Sequence, residues 1–115
     1  MQLKIVYLDD EPDLLEIFTD EYASDQFAIR TYSNVNEAIA AIKSDPPDLI
    51  FLDYQLPGTT GDKIALSLDP GIPKYLITGN LSVKLEANFA KVLQKPIDFQ
   101  AVRTILDQAL GKKNS

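Results

Sequence analysis

Three acids stand in a row, Asp9, Asp10 and Glu11, directly after the apolar run 3–8, LKIVYL. Like charges so close repel, and they lose hydration if covered, so a partner must offset that cost. One partner is a helix N-terminus, whose free N–H groups accept acidic caps and whose first turn suits Pro12. The other is a hard divalent cation: oxygen-only ligands with two or three carboxylates suit Mg2+, which keeps several waters and uses few protein ligands. Three further residues bear on the choice. Asp53 closes the most hydrophobic stretch of the chain, Thr78 ends the run KYLIT, and Lys95 follows the run KVLQ. Singly, each is an ordinary cap or a solvated side chain. Jointly, acids, a hydroxyl and an ammonium at four strand ends are hard to explain as capping. A carboxylate held beside a cation can attack a phosphoryl group and become an aspartyl phosphate. Phosphoryl transfer needs mainly positioning and charge neutralisation, which Lys95, Mg2+ and a hydrogen bond from Thr78 would supply.

The elements around these residues must bring them together. Runs 3–8, 27–32, 49–54, 74–78 and 91–94 read as strands. Between them lie helical patterns. Leu14, Leu15, Phe18 and Tyr22 form one stripe, and Val35, Ala38, Ile39 and Ile42 form another, capped by Ser33 or Asn34 and stopped by the prolines of SDPPD. QLPGTTGD reads as a loop, followed by the short apolar segment KIALSL. Leu81, Leu85 and Phe89 predict a short helix over 79–89. Phe99, Val102, Ile105, Leu106 and Ala109 predict a closing helix with Gly111 at its C-cap. Strands alternating with helices imply a parallel sheet with right-handed crossovers, a doubly wound α/β domain whose ligands bind beyond the carboxyl ends of the strands. All the candidate residues fall on that one rim.

Composition removes several classes of chemistry. With no cysteine there is neither a disulfide framework nor a thiolate metal site, and with no histidine there is no imidazole base or His-ligated zinc. The formal charge of −6 argues against a nucleic-acid partner. No apolar stretch reaches the roughly 20 residues that span a bilayer and Met1 opens no signal-peptide pattern, so no membrane association and a cytoplasmic location are expected. A chain of 115 residues accommodates one domain, placed at 1–111 with a polar tail at 112–115.

Four blocks in order, LDDEP at 8–12, LIFLDYQLPGTTG at 49–61, LITGN at 76–80 and LQKPI at 93–97, resemble the receiver domain of two-component response regulators over nearly the whole chain. The resemblance implies a flavodoxin-like, doubly wound five-stranded parallel sheet of order 2-1-3-4-5. It implies that Asp53 accepts a phosphoryl group from a phospho-histidine on a histidine kinase or histidine phosphotransfer protein, or from a small phosphodonor. Asp10 and Asp53 would bind Mg2+ directly, the backbone carbonyl of Gln55 would add a ligand, and Asp9 would act through a metal-bound water. Thr78 would follow the phosphoryl group on activation, Lys95 would pair with it, and the Lys95–Pro96 bond would be cis. Output would be binding to a downstream protein that the sequence does not identify.

Two features depart from the family pattern. Val92 stands where an aromatic switch residue is common, and reads equally well as a β-branched strand residue. Only sixteen residues, 79 to 94, separate Thr78 from Lys95, and the segment after Gly61 is brief, so the third and fourth helices should be shortened or irregular. Two competing functions follow. A receiver-like module insensitive to phosphate would fit Val92 and the short helices. An aspartyl-phosphate phosphatase of the haloacid dehalogenase kind would want Asp-x-Asp at the first strand, whereas here the acids are adjacent and Asp53 sits on the third.

Overall fold

Strands whose two faces are both covered must be largely apolar, as 3–8 is apart from Lys4 and 49–53 is up to its terminal Asp53. The computed structural model describes residues 2–115. In chain order its elements are β1 (Leu3–Leu8), α1 (Pro12–Tyr22), β2 (Phe27–Tyr32), α2 (Val35–Ser44), β3 (Leu49–Asp53), β4 (Gln55–Leu56), β5 (Thr59–Thr60), α3 (Gly61–Leu66), β6 (Lys74–Thr78), β7 (Lys91–Gln94) and α4 (Phe99–Lys113). The main sheet has the order β2-β1-β3-β6-β7 with every pair parallel. That is the predicted 2-1-3-4-5 order once the small hairpin β4–β5 is left out of the count.

Alternation along the strands splits the core into two layers. Ile5, Tyr7, Phe51 and Ile77 face α1 and α4, where they meet Phe18, Tyr22, Val102 and Leu106. Val6, Leu8, Ile50, Leu52 and Leu76 face α2 and α3, where they meet Ala38, Ile42, Ile64 and Ala65. The first layer is aromatic: Tyr7 and Phe18 pack with ring centroids 4.8 Å apart, and Phe18 and Tyr22 at 4.9 Å. The Tyr22 hydroxyl donates to the Phe99 carbonyl at 2.6 Å, which fastens α1 to the start of α4.

Local signals set most helix starts. Asn34 caps α2 by accepting from the Glu37 amide, and Asp98 caps α4 by accepting from the amides of Gln100 and Ala101. Two expectations need correction. Helix α4 runs through Gly111 to Lys113 and is capped at Asn114. Its last turn is tethered, because Lys113 Nζ donates to the Gln2 carbonyl and to Asp48, so tertiary contacts carry the helix past a residue that would otherwise end it. The segment read as a polar tail, 112–115, therefore begins inside this helix.

The second correction concerns the crossover from β6 to β7. No helix forms over 79–90. Twelve residues must return the chain along β6, a path of ~16 Å, and also supply both turns. An eight-residue helix would cover only ~12 Å, whereas extended chain has reach to spare. The segment lies instead as an extended strap, with Val83, Leu85, Ala87 and Phe89 half-buried and Lys84, Glu86 and Asn88 exposed. Leu85, Ala87, Phe89 and Val92 pack on the α2–α3 layer.

The loop after β3 is shaped by two glycines. Gly58 has φ 75° at the tip of the β4–β5 hairpin, directly after Pro57, the position a type II turn gives to glycine. Gly61 donates its N–H to the Tyr54 carbonyl at 2.8 Å, and a Cβ there would stand 2.3 Å from the Asp53 carbonyl oxygen. Backbone cannot yield as a flexible side chain would. Gly61→Ala is therefore expected to destabilise the fold by about 2–4 kcal/mol, read as a thermal midpoint lower by ~10 °C or more. Gly58→Ala meets open space and carries only the left-handed backbone penalty of about 1–2 kcal/mol.

Candidate functional site

The parity of β1 continues past its end. Asp9 falls on the side of Tyr7 and is fully buried, while Asp10 falls on the opposite side and is exposed. The Tyr7 hydroxyl donates to Asp9 Oδ2 at 2.5 Å, and the Glu11 amide donates to Asp9 Oδ1 at 2.9 Å. Glu11 occupies the N-cap position of α1 but makes no side-chain cap. Capping is thus not what the row of acids does: Asp9 serves the turn, and the other two side chains leave the helix end unbonded.

Asp53 ends β3, the neighbour of β1, and is 4% exposed. One oxygen each from Asp9, Asp10 and Asp53 lies within 4.8 Å of the others. Lys95 comes to the same place from the end of β7. Its Nζ stands 3.2 Å from Asp53 Oδ1, 3.8 Å from Asp9 Oδ2 and 4.0 Å from Glu11 Oε1. Its backbone N–H donates to the Thr78 carbonyl at 2.9 Å, and the Lys95–Pro96 bond is cis. Thr78 is buried at the end of β6, where its hydroxyl accepts from the Asn80 amide at 3.1 Å and donates to the Asn80 carbonyl at 3.2 Å. Gln55, exposed at the start of β4, lines the same open cleft of about 380 Å3 together with Asp53, Thr78, Asn80, Val83 and Lys95. Every candidate residue named from sequence therefore borders one rim. Val92 does not: it lies in β7, half-buried and packed on the α2–α3 layer.

The electrostatics follow from the crowding. Burial, then the Asp9 charge, raises the Asp53 carboxyl to about 6, although Lys95 pulls the other way. Burial alone would lower the Lys95 ammonium, but Asp9 and Asp53 outweigh it and the net shift is upward, so Lys95 stays charged. Burial and the hydrogen bond to Asp9 raise the Tyr7 phenol, so it remains a donor. One ammonium against three carboxylates leaves the cluster net negative. An all-oxygen donor set with uncompensated negative charge and no nitrogen or sulfur ligand fits a hard divalent cation.

Three residues here escaped sequence reasoning. Tyr7 carried a usable signal, since two residues before Asp9 along a strand means the same face. Val83 lay in a segment expected to be helical. Asp62 lies in the first turn of α3, 6% exposed, and accepts from the amides of Glu86 at 2.9 Å and Ala87 at 2.8 Å in the strap. Nothing local forecast that reach of more than twenty residues.

Comparison with known proteins sets this geometry in context. The family model described as response regulator receiver domain matches residues 5–107. The transcriptional regulatory protein BtsR of Shigella flexneri is 34% identical over 104 residues, which is 84% of this chain and 43% of that protein. The DNA-binding response regulator MtrA of Mycolicibacterium smegmatis is 31% identical over 80 residues, 68% of this chain and 35% of that protein. The chain thus spans less than half the length of either relative. Among solved structures, the receiver domain of a LuxO repressor protein of Vibrio parahaemolyticus superposes with a TM-score of 0.85 at 21% identity, covering 97% of this chain and 92% of that one. The response regulator TrrA of Thermotoga maritima, solved with Mg2+ and BeF, gives 0.82 at 22% identity, covering 94% and 99%. At these identities the structural likeness bears on the fold.

Proposed function

The chain belongs to the response regulator receiver domain family, and from that premise we propose that it accepts a phosphoryl group on Asp53 from a phospho-histidine of a kinase or phosphotransfer protein. Its output is then binding to a downstream protein, and its place of work is the cytoplasm. The observation that carries this reading is the 3.2 Å approach of Lys95 Nζ to Asp53 Oδ1 beside Asp9 and Asp10. That carboxylate, buried at the wall of the cleft, has an ammonium poised next to it.

An Asp53 carboxylate oxygen attacks phosphorus, the bond from phosphorus to the donor imidazole breaks, and the imidazole leaves with the electron pair and takes a proton from water. Asp10, Asp53 and the Gln55 carbonyl would hold Mg2+, with Asp9 acting through a water. When bound, the ion supplies charge neutralisation at the carboxylates and at the phosphoryl oxygens. Lys95, fixed by its backbone bond to Thr78, neutralises a phosphoryl oxygen from the other side. The Thr78 proton is now given to the Asn80 carbonyl. A phosphoryl oxygen is a stronger acceptor and would compete for it, drawing the start of the strap with it. To turn a 1:99 population into 99:1, such contacts must favour one state by roughly 5.5 kcal/mol.

The test is incubation with acetyl phosphate and Mg2+, read by intact mass. One phosphoryl group per chain is expected, with none when the metal is chelated. Unlabelled wild type, or phosphate released over many turnovers, would overturn the reading. The same site makes Mg2+ binding depend on pH. With the Asp53 carboxyl at about 6, the ionised fraction falls on acidification from pH 7 to 5, and the ion must displace a proton. Calorimetry without phosphodonor should show affinity about tenfold weaker at pH 5 than at pH 7.

A further inference from the structure

The strap over 79–90 has almost no regular hydrogen bonding of its own. It is held at its start by Asn80, whose amide donates to Thr78 and whose side chain accepts from Ser82, and at its end by the Ala90 amide on the Lys74 carbonyl. Between these points the polar anchor is Asp62. Its two oxygens each take one strap amide, Glu86 on Oδ2 and Ala87 on Oδ1, and no cation among the described residues pairs with it. A buried carboxylate satisfied only by backbone amides fixes those amides in place, since losing either leaves a buried group unbonded. Three residues upstream of Glu86 the same strap presents Val83 to the cleft that holds Asp53, and at its start it presents Asn80, the partner of Thr78.

We propose that Asp62 is a positioning residue for phosphoryl transfer: by gripping the strap at Glu86 and Ala87 it sets the cleft wall formed by Val83 and Asn80. This inference rests on the phosphoacceptor role of Asp53. A fixed wall holds the phosphodonor in line with Asp53 and limits the approach of water to the acyl phosphate. Asp62 is at neither the metal cluster nor the reacting atoms, so it acts on how the donor is held and on how long the product lasts.

The experiment compares wild type, Asp62→Asn and Val83→Ala with acetyl phosphate and Mg2+, well below their melting temperatures. Asparagine is nearly isosteric but turns an N–H toward one strap amide. Asp62→Asn is expected to raise the donor concentration for half-maximal labelling at least ~3-fold and to shorten the lifetime of the label at least ~3-fold, with Mg2+ affinity by calorimetry within about twofold of wild type. Val83→Ala, which leaves the clamp intact, should move both quantities the same way, and the double variant should add little to Asp62→Asn alone. If Asp62→Asn only lowers the melting temperature while half-saturation and lifetime hold, the clamp is structural and the proposal fails. It fails equally if Val83→Ala is silent. A wild type that takes no label refutes the phosphoacceptor role itself, a result distinct from both.

Discussion

Replacing Asp53 with asparagine is expected to abolish the phosphoryl label, a loss of at least ~1,000-fold in rate measured by intact mass over time. Asp53 is the carboxylate that meets the Lys95 ammonium at 3.2 Å, whereas both oxygens of Asp9 are occupied, by the Tyr7 hydroxyl and the Glu11 amide, and Asp10 forms no ion pair with Lys95. The same substitution should stabilise the metal-free protein at pH 7, which separates lost chemistry from lost structure. Burial and Asp9 raise the folded-state carboxyl from 3.8 to about 6. A folded-state value above the unfolded one means that ionisation weakens the fold: stability is fully present below about pH 4 and is lost as pH rises through about 6. Asparagine cannot ionise, so that loss disappears. Asp53→Asn should unfold about 2–3 kcal/mol harder than wild type at pH 7, the Lys95 attraction being already contained in that shift, with the advantage shrinking toward zero near pH 4. Retention of the label would move the acceptor elsewhere. A variant less stable than wild type at pH 7 would contradict the crowding that defines the site.

Lys95→Met is expected to slow labelling by about 100-fold, the usual effect of removing one preorganised donor from a developing charge. Two further signs distinguish it from damage. Lys95 lies within 4.0 Å of Asp53, Asp9 and Glu11 and is the one cation paired with them among the described residues. Without it the acids repel unopposed, so Mg2+ should bind several-fold tighter, because the ion no longer competes with a fixed ammonium. Without metal the variant should be less stable at neutral pH by about 1–3 kcal/mol, since buried carboxylates are left unpaired. Adding Mg2+ should restore most of that difference. Weaker metal binding together with slow labelling would mean that Lys95 holds the loop rather than the charge.

The two substitutions pull stability in opposite directions through one cause, which is the excess negative charge on the rim. That excess is also why the site suits a cation, and why protonation of Asp53 should weaken Mg2+ binding. The Gly61 approach to the Asp53 carbonyl adds a mechanical condition: the acceptor loop is seated on backbone with no room for even a methyl group.

Much of this was legible in the chain itself. Apolar runs alternating with helical stripes dictate a parallel sheet, and a parallel sheet puts every strand's carboxyl end on one rim. The convergence of Asp9, Asp53, Thr78 and Lys95 on one rim therefore follows from their places at the carboxyl ends of parallel strands, with no knowledge of packing. Caps such as Asn34, which bond within three residues, are likewise local. What the tertiary structure decided involves competition between distant parts. Leu81, Leu85 and Phe89 keep helical spacing while Val83, Leu85, Ala87 and Phe89 keep strand spacing, and Leu85 and Phe89 carry both patterns. The span from β6 to β7, and an acid from α3 that accepts two strap amides, favour the extended form. Gly111 permits a helix end, and Lys113 on Asp48 overrides it. Periodicity reports which face a residue can offer, but the distance a segment must cover, and who meets it there, exist only once the chain has folded.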